Sequence, residues 1–348
     1  WGPPVLLKQT NLRNGGIQVG KGRYLLKRFI YIVFVFFIIS ILMFFIYKLM
    51  PGDPVTMMLG EARNNMQPDA YQELYERTKE SLGLNGTLIE QYFRWMGNML
   101  TGNFGYSTQY KQQVVNVIGT PMMNTVMLNL LSMLLTFIIA VPLGIATAVR
   151  KNGVFDKTVQ VVTIIGYSLP SFIIALLAIF AFAVKIPIFP ISGVRSAGFS
   201  GNTFQMMLDT LWHMALPVIV MSISGIGSIT RYVRAAMIDV LRMDYIKTAR
   251  AKGLREKVVI YVHAFRNALI PVVTIATAWV VSLFGGSIVI ESVFLWPGLG
   301  KMLIDGLMQR DFSIVLTMQM FYVVLSLAGN VIMDIAYTLV DPRVRLEN

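Results

Sequence analysis

Six long stretches of this chain contain no Asp, Glu, Lys or Arg: 29–47, 121–149, 158–184, 210–230, 267–290 and 312–333. Each reaches or approaches the roughly 20 helical residues that cross a hydrocarbon layer about 30 Å thick. Lipid offers no partner to a bare backbone N–H or C=O, so a spanning segment must satisfy its own hydrogen bonds. A β-barrel does so between short alternating strands, and these stretches do not alternate. The fold class expected is therefore an all-α integral membrane protein with about six transmembrane helices. The composition agrees. Only 14% of residues are charged, against roughly 25% in soluble domains.

The charges crowd between the apolar stretches, and their sign orients the chain. Six Lys/Arg lie in 1–28, three in 150–157, nine in 231–266 and two in 334–348, which is twenty of the thirty in the chain. The intervening segments 50–120, 185–209 and 291–311 hold nine Lys/Arg and eleven acids. Basic residues are retained on the cytoplasmic side, so both termini and the loop 231–266 are expected inside. The net charge of +12 then reports topology, and no nucleic-acid partner is read from it. The chain divides into a basic segment 1–28 and a first transmembrane helix 29–49. An extracytoplasmic segment 50–120 follows, then a five-helix core 121–340 and a cytoplasmic tail 341–348. Segment 1–28 has no apolar run and is not read as a signal peptide.

Within 50–120, residues 69–80 are polar with helical character. Leu88 to Leu100 places Ile89, Tyr92, Phe93 and Met96 at helical spacing. A small helical external domain is expected, serving either as a packing cap or as a surface for a partner. Prolines and glycines fall inside the spans, among them Pro142, Gly144, Gly166, Pro170, Pro217, Pro271, Gly285 and Gly286. They permit kinks and close helix approach, and the same residues suit hinges.

Catalytic chemistry has few candidates. There is no Cys, and the two histidines, His213 and His263, stand far apart, so no thiolate site or metal-ligand spacing is seen. Residues 15–22 read GGIQVGKG. They match the start of a P-loop but place Gly22 where Ser or Thr must ligand Mg²⁺. The chain is read as a non-catalytic subunit. Ion-coupled transporters and channels place ionisable groups in their spans. Here the main one is Asp334, with Glu291 and Lys185 at span ends. That weighs against an ion-coupled secondary transporter, the alternative of a different class.

The loop 231–266 is too long for a turn and too basic for a span. Arg234 to Leu241 continues a helical pattern beyond the apolar stretch. Asp244-Tyr245 then starts a short helix, with the carboxylate at its favoured end. Ala249 and Gly253 are four apart and small, so on a helix they would form one face open to close approach. Arg242, Lys247, Arg250, Lys252, Arg255 and Lys257 surround it with charge. A helix lying on anionic lipid fits the same pattern.

DYIKTARAKGL at 244–254, continued by HAFRNALIPVVT at 263–274, resembles the cytoplasmic coupling loop of ABC importer permeases of the dipeptide/oligopeptide/nickel group. Lys247, Thr248 and Ala249 stand where the general motif has Glu-Ala-Ala, and Gly253 fits its Gly. The resemblance extends over nearly all of 22–348. GRYLLKRF at 22–29, PGDP at 51–54, LGLN at 82–85, QYFRW at 91–95 and GNFGYS at 102–107 come first. GYSLPSF at 166–172, WPGLG at 296–300, RDFSIV at 310–315 and DPRVR at 341–345 follow in order. PGDP and the large first external loop resemble the B-type subunit.

The resemblance implies the type I ABC importer permease fold in a bacterial cell membrane. It implies a second related permease, two ATPase subunits that bind ATP and Mg²⁺, and an extracytoplasmic substrate-binding protein. The residues it would place on the ATPase-coupling helix are Arg242, Asp244, Tyr245, Thr248, Ala249, Arg250, Gly253 and Leu254. No cofactor is implied in this chain itself. Peptides are the cargo implied first; nickel chelates and glutathione are carried by relatives. Trp279, Ser282 and Ser287 are candidates for pathway lining, with lipid- or partner-facing placement equally open.

Overall fold

The structure is a computed structural model. It describes residues 17–49 and 52–340, with side chains for all of these except 17–25, 61, 270, 271, 274, 278, 281 and 334–340. The tail 341–348, Pro51 and the side chains of Pro271 and Asp334 therefore lie outside the described residues, as does most of 1–28. Gly20-Lys21-Gly22, the end of the P-loop-like stretch, runs within the first helix.

Helix α1 (Ile17–Leu49) contains a 24-residue apolar span, Leu26–Leu49, with mean hydropathy 3.1. Most of its side chains stay exposed, as suits a helix bathed in lipid tails. Asp53 then accepts hydrogen bonds from the N–H groups of Val55 and Thr56, and Pro54 takes the first position of α2 (Pro54–Asn65). PGDP is thus a helix start, since a capped N-terminus has no use for the N–H that Pro lacks. The helices expected within 50–120 are present as α3 (Pro68–Ser81) and α4 (Leu88–Leu100). Thr87 and Glu90 close a reciprocal capping box on α4. Tyr92 and Trp95 of α4 pack their rings 5.5 and 5.7 Å from that of Phe44 in α1.

The segment 52–120 is not wholly helical. Strands β1 (Tyr106–Ser107) and β2 (Gln112–Gln113) pair antiparallel, ahead of a single turn, α5 (Val114–Val117). Buried Asp311 fixes this hairpin to the bundle. Its carboxylate accepts from Ser107 Oγ at 2.5 Å and from the N–H of Gln109 at 3.0 Å. GNFGYS and RDFSIV are therefore the two halves of one contact.

The bundle is built on α6 (Gly119–Val149) and α9 (Thr203–Leu241), which pack together more extensively than any other pair. At 1.5 Å per residue α9 is about 58 Å long, roughly twice the hydrocarbon thickness, so it projects well past the membrane. Pro142 and Pro217 lie inside these two helices without interrupting them. Helix α7 (Val154–Ser168) and α8 (Ser171–Ile179) replace the single span read at 158–184 by a broken pair. The pair bends by 99° at Leu169-Pro170. A residue before proline is driven out of the α region, and Leu169 sits at ψ 133°. A π-helical turn, Phe180–Lys185, finishes this arm.

Beyond α9 come the short α10 (Asp244–Ala251) and α11 (Glu256–Val258), a π-helical turn Val259–Ala264, and α12 (Phe265–Ser282). The helix expected to persist to residue 290 ends at Ser282. After Gly285-Gly286 the chain forms α13 (Ile288–Val293) and α14 (Leu299–Met308) before the last helix, α15 (Phe312–Val340). Among the described residues, four helices are long and apolar enough to cross a membrane, or five if the bent α7–α8 pair is one span. The family of helices is as expected; the count of six is not reached on length and apolarity alone.

Candidate functional site

Helix α10 has eight residues, too few to be stable alone in water. Two side chains anchor it. Ile246 is 0% exposed and Ala249 7% exposed, both within a core cluster that includes Ile145, Val233, Met237 and Val259. Every other residue of α10 is exposed. Asp244 opens the helix and Arg250 closes it, each at the end of the helix dipole that favours its charge. Lys247 Nζ, 2.8 Å from Asp244 Oδ1, holds that carboxyl below its usual range. Arg250 donates to both oxygens of Glu256 at 3.2 and 2.7 Å, tying α10 to the start of α11.

The turn between them depends on Gly253. Its N–H donates to the carbonyl of Arg250 at 2.9 Å, and the N–H of Leu254 reaches that of Ala249 at 3.3 Å. This is a Schellman ending, which needs a left-handed residue, and Gly253 has φ +74°. The reading of Ala249 and Gly253 as one open face is corrected here. Helix α10 stops at Ala251, Gly253 lies past it, and Ala249 points into its own chain. Small size at 249 lets α10 sit close to the bundle rather than to a partner. The free surface is made instead by Asp244, Tyr245, Lys247, Thr248 and Arg250, flanked by Arg242 and Leu254, all exposed.

An ion pair stands beside this loop. Asp156 in the first turn of α7 is fully buried and receives Arg234 of α9 through two hydrogen bonds of 2.7 Å. The N–H of Asn152 and the amide of Gln160 complete its shell, each at 2.9 Å. Both members carry charges that sequence reading assigned only to topology. Nothing in the sequence links positions 78 apart, though the four-residue step from Asp156 to Gln160 was available as a local hint.

The pathway candidates separate. Trp279 packs edge-on against Phe137 of α6, ring centres 5.6 Å apart, in the inner cluster of the bundle. Ser282 is exposed and returns its hydroxyl to the carbonyl of Trp279. Ser287 is not on the fifth span at all. It caps α13, accepting from the N–H of Ile290, and its own N–H donates to Glu291. Glu291, read from sequence as lying at a span end, is 1% exposed and forms a hub. It accepts from Thr125 Oγ at 3.0 Å, Ser287 N at 3.2 Å and Lys301 N at 2.9 Å. Burial raises its pKa; the hydrogen bonds oppose that rise without cancelling it. WPGLG wraps this carboxylate: a Cβ at Gly298 would collide with it, and one at Gly300 would collide with the backbone of Ser287 and Ile288. Glu291→Ala is expected to leave two backbone N–H groups without acceptors and to cost about 3 kcal/mol. Glu291→Gln, which keeps one acceptor, should cost less. Melting of the purified protein in detergent measures both.

Two family models match nearly the whole chain. Residues 140–346 match the "binding-protein-dependent transport system inner membrane component", and residues 22–129 match the N-terminal part of such membrane components. The chain belongs to this family of inner-membrane transport components. It is 38% identical over 322 residues to the oligopeptide transport system permease protein AppB of Bacillus subtilis, covering 92% of this chain and 98% of that one. It is 36% identical over 324 residues to the di/tripeptide transport system permease protein DppB of Pseudomonas aeruginosa, covering 89% and 95%. A putative peptide permease of Brucella suis is 34% identical over 325 residues, covering 93% and 99%.

Proposed function

We propose that the chain is the B-type permease subunit of an ATP-driven peptide importer. It forms half of a translocation pathway whose other half is a second, related permease. Peptide as cargo is supported by the names of the relatives, which match over nearly their full length. An extracytoplasmic protein delivers the cargo, and two separate ATPase subunits, holding ATP and Mg²⁺, drive it. Both termini and the loop 231–266 face the cytoplasm, as the basic bias requires.

The observation that carries the coupling role is the two-sided character of α10. Ile246 and Ala249 fix it to the bundle, and the rest of its surface is exposed and carries Asp244, Lys247 and Arg250. A docked partner that moves α10 must therefore move α9 and the π-helical turn behind it. Asp244, Tyr245, Thr248 and Arg250 form the contact, with Arg242 and Leu254 at its edges. Gly253 shapes the turn, and Ala249 seats the helix. The test is reconstitution of the complete complex in proteoliposomes. Oligopeptide uptake should require ATP, the binding protein and both permeases. Uptake by this chain alone on an ion gradient would overturn the proposal. Uptake of a nickel chelate or glutathione in place of peptide would retain the machine and change the cargo.

A further inference from the structure

A cavity of about 350 Å³ lies between the external segment and the ends of α1 and α15. Three cations line it: Lys48 of α1, Arg94 of α4 and Arg310 ahead of α15. Lys48 donates to Gln91 and stands 5.5 Å from the rings of Phe44 and Tyr47. Arg94 and Arg310 are exposed, and their guanidinium groups make no hydrogen bond or ion pair with any described residue. Among the described residues the one lining carboxylate, Asp311, is fully buried and turned toward Ser107, Gln109 and Ile314. The uncompensated charge that the described residues bring to the cavity is thus positive.

Its level in the membrane is set by the two helices that frame it. The apolar span of α1 ends at Leu49, and that of α15 begins at Phe312. Tyr47, Trp95 and Phe312 line the same cavity, and aromatic rings of this kind concentrate where hydrocarbon meets headgroups. Below the cavity α1 exposes Ile41, Leu42, Phe45 and Ile46, a continuous apolar track.

We propose that this cavity binds the headgroup of an anionic phospholipid of the outer leaflet, its phosphate on Arg94 and Arg310 and its acyl chains along α1. The positive charge of the two side chains attracts the phosphate, and their N–H groups donate charge-assisted hydrogen bonds to its oxygens, as an ammonium group also can. A soluble phosphate would share those contacts but would make no use of the track on α1. The inference rests on the outer placement of residues 52–120 and is independent of what cargo the complex carries.

The test is lipid retention by the purified, assembled complex in nanodiscs of phosphatidylcholine with a minor share of phosphatidylglycerol. Wild-type protein should enrich phosphatidylglycerol. Arg94→Gln with Arg310→Gln should lower that enrichment roughly tenfold, while Lys79→Gln, outside the cavity, should not. Arg94→Lys with Arg310→Lys keeps the charge and should retain most of it, which gives the reading should the Gln pair fail to assemble. Unchanged enrichment in the Gln pair, or its loss in the Lys pair, would overturn the proposal. So would full displacement by millimolar glycerol phosphate, which would make the ligand a free phosphate.

Discussion

Ile246→Asp is expected to leave the chain inserted in the membrane and to abolish ATP-driven uptake. Ile246 has no exposed surface and, with Ala249, is all that holds α10 to the bundle. A carboxylate there would have to be desolvated at a cost of several kcal/mol, or leave. It leaves at little cost, because α10 is only eight residues long and its other side chains already face out. The ATPase subunits can then still dock and turn over while the bundle no longer follows. The signature is retained basal ATPase activity with loss of peptide uptake and of stimulation by the loaded binding protein. Ile246→Val removes one methylene, costs about 1 kcal/mol and should transport nearly as well as wild type. Uptake at wild-type level in Ile246→Asp would mean that α10 does not carry the motion.

Arg234→Met is expected to have the largest effect on stability. The Asp156 carboxylate, 1% exposed, would keep Asn152 and Gln160 as partners but lose the one counter-charge it has among the described residues. Removing one member of a buried pair typically costs about 3–5 kcal/mol, whereas replacing both with apolar groups is often neutral. Arg234→Met should therefore lower the melting temperature by roughly 10 °C, and adding Asp156→Leu should restore most of the loss. The pair joins the start of α7 to the stretch of α9 that leads into α10. Loss of uptake in the single variant should accordingly be recovered in the double. A double variant as unstable as the single would show that Asp156 matters for its hydrogen bonds to Asn152 and Gln160 rather than for the pair.

How much of this was legible depended on range. Local signals read well. Charge-free length gave α1, α6, α9 and α15, and helical spacing placed α4 at Leu88–Leu100. Proline and glycine were legible but underweighted. Pro170 marked a break rather than a kink, because Leu169 before it cannot stay helical. Gly285-Gly286 marked the end of a span, which removed Ser287 from it. Spacing alone could not say which face of α10 looks inward, since Ile246 and Ala249 share a face with the bundle only through tertiary packing. The long-range hubs were invisible. Asp156 finds Arg234 across 78 positions, and Glu291 finds Thr125 across 166. Only the glycines of WPGLG hinted at the second, by marking a place where no side chain fits.

The free surface of α10 can be tested without disturbing its seat. The chain has no cysteine, so Thr248→Cys introduces a single reactive thiol on the exposed face of the helix. In the assembled complex, a short thiol-to-amine cross-linker on Cys at that position should capture an ATPase subunit, in a yield that changes when ATP is bound. Capture of no ATPase subunit, with the thiol as open to soluble reagents in the full complex as in the isolated chain, would contradict the assignment. It would return α10 to the membrane surface.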